Sequence, residues 1–77
     1  MNYDDALFKQ RVKQAARNGK VRAADVEAAF WAVAWDLRVA IQEQKPQMMD
    51  AAEAAFRAEF LPIFKRQIQE ELGLEVY

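Results

Sequence analysis

The sequence predicts an all-α fold, a bundle of three helices: an antiparallel hairpin of the second and third helices plus an N-terminal helix. Three observations predict it. Much of the 53% hydrophobic content is alanine, the strongest helix former. β-branched runs are absent, which argues against strands. Only two glycines and two prolines interrupt the chain, and each falls where a helical pattern stops or bends. At 77 residues one domain spanning 1–77 is the ceiling, and a core of that size is marginal without a staple. Cysteine and histidine are both missing, so disulfides and the commonest metal ligands are excluded and self-association is the staple left, although well-packed helices can manage alone.

The first helix is expected from about Tyr3 to Asn18. Asp4 and Asp5 suit a positive helix N-terminus, and Asn18-Gly19 reads as a left-handed stop. Phe8, Val12, Ala15 and Ala16 fall on one face. Lys9, Lys13 and Arg17 follow at four-residue spacing on another.

The second helix is expected to open at Arg22 and run unbroken to about Gln44, since Pro46 disfavours helical geometry at Lys45. Val21 and Val26 fit a hydrophobic staple around Arg22. Asp25 stands where a capping box has its acid, although the Ser/Thr half is missing. The third helix starts between Pro46 and Asp50, either with Pro46 at the first position or with Asp50 capping and Glu53 completing a box. Pro62 removes a donor and crowds the carbonyl of Ala58, which predicts a kink or break at Leu61-Pro62. A last segment runs to Leu72, and Gly73 stops it with Leu74 able to pack back. Glu75, Val76 and Tyr77 are expected to fray.

The stretch AAFWAVAWDL, residues 28–37, carries the most information. At about 100° per residue, Val26, Phe30, Val33, Leu37 and Ile41 share one arc of the second helix. Ala28, Trp31, Trp35 and Val39 share the opposite arc. A helix apolar on two sides sits between two layers. One stripe can pack on the third helix through Met49, Ala52, Phe56, Phe60 and Ile63. The stripe of Ala28, Trp31, Trp35 and Val39 needs the first helix, a second copy of the chain or a foreign protein. Two exposed indoles would forgo several kcal/mol at about 25 cal/mol/Å², comparable to the stability of a small domain.

Residues 9–22 hold Lys9, Arg11, Lys13, Arg17, Lys20 and Arg22 with no acid, although the whole chain carries a net charge of −1. Three readings fit: a solvated face paired with the acidic remainder, an electrostatic contact with an acidic protein, or phosphate binding to nucleic acid. A helix-turn-helix mode is disfavoured. The second helix would lead with Asp25 and Glu27 toward a phosphate backbone and offers only Arg38 to a base edge.

Other features have structural explanations. Met48 and Met49 suit the end of a helical hairpin, or an adaptable contact. Phe56, Phe60 and Phe64 read as a core seam rather than a cofactor box. Ala51, Ala54, Ala55 and Ala58 make a small-residue patch open to another helix or to solvent.

Function is bounded mainly by what is missing. Serine, threonine, cysteine and histidine are all absent, which removes the usual nucleophiles and the usual general base. Glu53, Glu59, Glu70 and Glu71 cannot complete a di-metal Glu-x-x-His pattern. No apolar run is long enough to span a bilayer, and the acidic start does not resemble a signal peptide. The expectation is a non-enzymatic protein, cytoplasmic or inside a particle assembled there, with no cofactor, no metal, no membrane contact and no small-molecule substrate. It would bind another protein as an assembly subunit, an adaptor dimerised with a second copy of itself, or an inhibitor. The alternatives are a nucleic-acid-binding accessory protein using residues 9–22, and an acidic decoy presenting Asp25, Asp36 and Glu43.

Overall fold

A computed structural model describes residues 4–77. The chain is mostly helical. The elements are α1 (Asp5–Ala15), β1 (Lys20–Val21), α2 (Ala23–Val33), α3 (Trp35–Gln44), α4 (Met48–Ala55), a π-turn (Phe56–Phe60), α5 (Leu61–Leu72) and β2 (Glu75–Val76). Tyr3, where the first helix was expected to start, lies outside the described residues. Among the described ones α1 opens at Asp4, whose carboxylate accepts from the Leu7 N–H at 3.0 Å and satisfies one orphan donor.

α1 ends three residues before the expected stop. Ala16 is extended, and Asn18-Gly19 forms a two-residue hairpin turn instead of a helix cap. Both turn residues have positive φ, 55° and 75°, the type I′ pattern that Asn-Gly favours. Arg17 and Lys20 exchange backbone hydrogen bonds across it at 2.8 and 3.0 Å. The local sequence already carried this signal, because Asn-Gly specifies a hairpin as readily as a helix end.

The turn delivers β1 to β2, and here the expectations of no strand and a frayed end are both overturned. Lys20 and Val21 pair in parallel with Glu75 and Val76. Val21 and Val76 are buried. The Tyr77 carbonyl accepts from the Ala23 N–H at 2.6 Å, so Tyr77 satisfies the first of the N-terminal donors that α2 leaves without an intrahelical partner. Strand pairing in so helical a chain follows from chain direction. Asp5 meets Gln67 and Lys9 meets Glu71, so α1 and α5 run side by side in the same direction, and the segments that follow them arrive parallel.

The second helix is interrupted at Ala34 (φ −103°, ψ 32°). This corrects the expectation of one continuous helix to Gln44. Nothing local announces the break: AVAWD holds neither glycine nor proline. Its cause is tertiary. α2 packs on α1 and α5, whereas α3 packs on α4. The break lies across from the π-turn, between Phe30, stacked on Phe56 at 4.4 Å, and Arg38, which meets Glu53.

α4 begins at Met48, with a turn at Pro46-Gln47, so Asp50 lies inside the first turn and does not cap. At Pro62 the helical run does not break. A π-turn inserts one extra residue, the Leu61 N–H bonds to the Phe56 carbonyl, and Pro62 becomes the second residue of α5, where no donor is required. The inserted residue also resets which side chains face inward. At about 100° per residue, removing one residue from the count brings Phe56, Phe64 and Ile68 to within roughly 40° of one line. Leu61 takes the inward place that an uninterrupted α-helix would give Phe60. Phe60 is accordingly 49% exposed, which corrects the three-phenylalanine seam. The core joins Phe8 and Val12 of α1, Val26, Ala29, Phe30 and Trp31 of α2, Phe56, Ile68 and the two strand valines. Gly73 closes α5 in the left-handed region, as expected, and Leu74 packs on the core. No described helix is long and apolar enough to cross a membrane.

Candidate functional site

The tryptophans part company. Trp31 is buried, 7% exposed, against Phe30 and Phe56, with the Arg38 guanidinium 5.7 Å from its ring centre. Trp35 is 57% exposed. α1 lies along the side of α2 carrying Asp25, Ala28 and Ala29. The side of α2 and α3 bearing the tryptophans is an open groove of about 720 Å³, lined by Ala24, Glu27, Ala28, Ala32 and Gln42 with Trp31, Trp35, Arg38 and Glu53. Of the four residues expected to make an apolar contact, Ala28, Trp31 and Trp35 therefore meet at one groove. Val39 is half-buried and does not line it.

One wall of the groove is ionic. Arg57 donates to Glu27 at 2.9 Å and reaches Glu53 at 3.8 Å, and Glu53 is 3.6 Å from Arg38. The outer two contacts exceed the length of a charge-assisted hydrogen bond, so only the Glu27–Arg57 pair is tight. The chain holds Arg38 between a carboxylate and an indole face. Trp31 keeps its Nε1–H buried with no acceptor among the described residues. Such a donor forgoes about 1–3 kcal/mol. Residue-by-residue sequence reading found the tryptophans and Ala28 but missed Ala24, Glu27, Ala32, Arg38, Gln42 and Glu53 as their neighbours. The helical wheel could have added Ala24 and Gln42, which fall on the tryptophan arc, and Arg38, which flanks it. Glu53 comes from another helix and carries no such signal.

The basic segment is not one surface. Lys9 bonds Asp5 at 2.8 Å and also Glu71. These bonds, Asp5 first, hold its ammonium above the usual lysine pKa. Arg22 makes a two-pronged contact to Asp25 at 2.9 and 3.2 Å, which raises its pKa in turn. Arg17 has left the helix, so the Lys9, Lys13, Arg17 stripe ends at Lys13. The Arg17 guanidinium donates to the carbonyls of Gln14 and Ala16 at 2.9 and 2.7 Å, closing the end of α1. Arg11, Lys13 and Lys20 form no ion pair among the described residues. Arg11 flanks a shallow cleft with Gln14, Ala15, Asp25, Ala28 and Ala29. The acids are divided as well: Asp25 is engaged, while Asp36 and Glu43 are exposed. Among the described residues no group of three or more Asp and Glu side chains is placed to hold a metal ion. Comparison with protein-family models, curated proteins and solved structures found no match for this chain.

Proposed function

We propose that this protein works without catalysis, by binding another protein through the groove of Trp31 and Trp35. The molecule that presents it is read as a three-helix bundle: α1, the α2–α3 stretch, and the α4–α5 stretch bent where the π-turn meets Pro62. The observation that carries the proposal is Trp35, a 57% exposed indole beside a groove with an alanine floor. Alanines 24, 28 and 32 leave room for a partner's side chains, and tryptophan and arginine are the residue types that dominate interface energies. A partner bringing a backbone carbonyl to Trp31 would also recover the unpaired donor.

Affinity capture from cells that contain the protein tests the proposal, with wild type, Trp35→Ala and Lys13→Glu run in parallel. Both positions are exposed, so both variants keep the fold. The expected result is a partner retained by wild type and Lys13→Glu and lost by Trp35→Ala. A partner lost only through Lys13→Glu would move the contact to the basic face and overturn the groove reading.

A second reading, nucleic-acid binding, draws on Arg11, Lys13 and Lys20, which form no ion pair among the described residues. It is weaker because Lys9 and Arg22 are already engaged by carboxylates. A labelled duplex left unshifted at ~50 mM salt removes it.

A further inference from the structure

Helix α3 is packed along one side only. Leu37 and Ile41 share the crevice between α3 and α4, and no residue of α3 is fully buried. At about 100° per residue, Trp35, Asp36, Val39 and Glu43 fall within roughly 100° of one another, centred opposite Leu37 and Ile41. This outer side adjoins the tryptophan groove, because Trp35 belongs to both. Its unpaired charge has one sign. Asp36 and Glu43 are exposed and form no ion pair among the described residues. They stand seven residues apart, about 10.5 Å along the helix at 1.5 Å per residue. The cations nearby are engaged or turned away. Arg38 lies between Glu53 and the Trp31 ring, and Arg57 is held by Glu27. Lys45 borders the crevice on the α4 side, and Arg11 borders the cleft between α1 and α2, on the other flank of Ala28. A second observation is independent of charge. Trp31 lines the groove, is 7% exposed and holds its Nε1–H without an acceptor among the described residues.

We propose that the partner of the tryptophan groove is a basic amphipathic helix of another protein. The inference rests on the groove reading above and adds the chemistry of what fills the groove. Charge complementarity selects the sign. A helix with two cations seven residues apart, two turns, matches the spacing of Asp36 and Glu43 on the rim, whereas an acidic segment would meet two uncompensated carboxylates. Trp35 favours the same occupant, because the face of an exposed indole attracts a lysine or arginine. The floor favours a helix over a bulkier element. Ala24, Ala28 and Ala32 recur every four residues, so a helix can approach closely and lay its apolar stripe beside Trp35. The carbonyls of a helix's last turn have no intrahelical partner and can supply the acceptor that Trp31 lacks. The two rim acids also steer encounter, so association is faster and tighter at low salt than at high salt.

Fluorescence anisotropy of a dye-labelled synthetic peptide tests it. The probe is a leucine-alanine-lysine helix of about 18 residues, long enough to be helical alone, with lysines seven apart beside its leucine stripe. A counterpart carries glutamate for each lysine. The full chain is titrated as wild type, Trp35→Ala, Asp36→Lys/Glu43→Lys, the milder Asp36→Asn/Glu43→Gln, and Glu59→Lys/Glu70→Lys, which makes the same charge change elsewhere. All these positions are exposed, and far-UV circular dichroism checks that each variant keeps its helix content. Wild type is expected to bind the lysine peptide at least about tenfold more tightly than the glutamate peptide at ~50 mM salt, and more weakly at ~500 mM. Trp35→Ala and Asp36→Lys/Glu43→Lys should each weaken binding at least about tenfold, the milder pair should fall between, and Glu59→Lys/Glu70→Lys should stay within about threefold of wild type. Equal loss in the Glu59/Glu70 variant would mean that net charge and not this face is read, and overturns the proposal. So does a wild type that binds neither peptide up to ~1 mM. Loss in Trp35→Ala with none in either Asp36/Glu43 variant overturns the cationic partner and leaves the groove standing. Loss in the Asp36/Glu43 variants with none in Trp35→Ala places the contact off the groove, and both readings fall.

Discussion

Replacing each tryptophan in turn by alanine tests whether the two indoles play opposite roles. Tryptophan removes up to about 250 Å² from water when wholly covered. Trp31 is 7% exposed, so about 230 Å² is at stake, an upper bound near 6 kcal/mol at about 25 cal/mol/Å². A compact unfolded state already hides part of that area, which lowers the figure to about 3.5–5 kcal/mol. Large-to-small substitutions of buried aromatics cost about the same. A chain of 77 residues has about 4–12 kcal/mol in total, so Trp31→Ala consumes much of it. Trp35 is 57% exposed and has about 110 Å² to lose, about 2 kcal/mol after the same discount. Alanine returns about 0.5 kcal/mol of helix propensity, leaving a cost of about 1–2 kcal/mol. Urea unfolding followed by circular dichroism at low protein concentration reads both values without depending on the fluorophore that is removed. If Trp35→Ala costs as much as Trp31→Ala in the monomer, the outward placement of Trp35 is wrong and the groove has no mouth.

Three further outcomes are expected. Val76→Ala should destabilise by about 2 kcal/mol, for two buried methyl-sized groups plus the space they leave, and hydrogen exchange should show the Ala23 amide losing protection along with it. Lys9 has its folded pKa raised above 10.5 by bonds to Asp5 and Glu71. Its stabilisation is therefore fully present below the unfolded lysine pKa and lost as pH rises through the folded value. A Lys9→Met variant should lag wild type in melting temperature at neutral pH, and the gap should close as pH rises through the folded lysine pKa. Pro62→Ala should shift stability by no more than about 1 kcal/mol, because Pro62 sits in the first turn of α5. A gain near the ~3 kcal/mol expected for relieving a mid-helix proline, read from chemical denaturation, would contradict the π-turn.

What the amino-acid order determined by itself is local. Alanine content and apolar spacing specified helices, because helix propensity and a one-sided stripe act within a few turns. Asp4, Arg22, Pro46 and Gly73 marked boundaries through backbone rules that need no partner. The Asn-Gly hairpin was equally local and equally legible, although the same dipeptide also ends helices. Which side of each helix would be covered was not local. Trp31 and Trp35 share an arc and differ in fate because the partner of that arc, Phe56, reaches only one of them. The break at Ala34 falls where the packing partners change from α1 and α5 to α4, elements that lie elsewhere in the sequence. The strand pair exists because α1 and α5 lie parallel, a relation between residues some 60 positions apart. Tertiary packing alone decided these points, since burial depends on what stands opposite a residue and the sequence of one helix does not contain its neighbour.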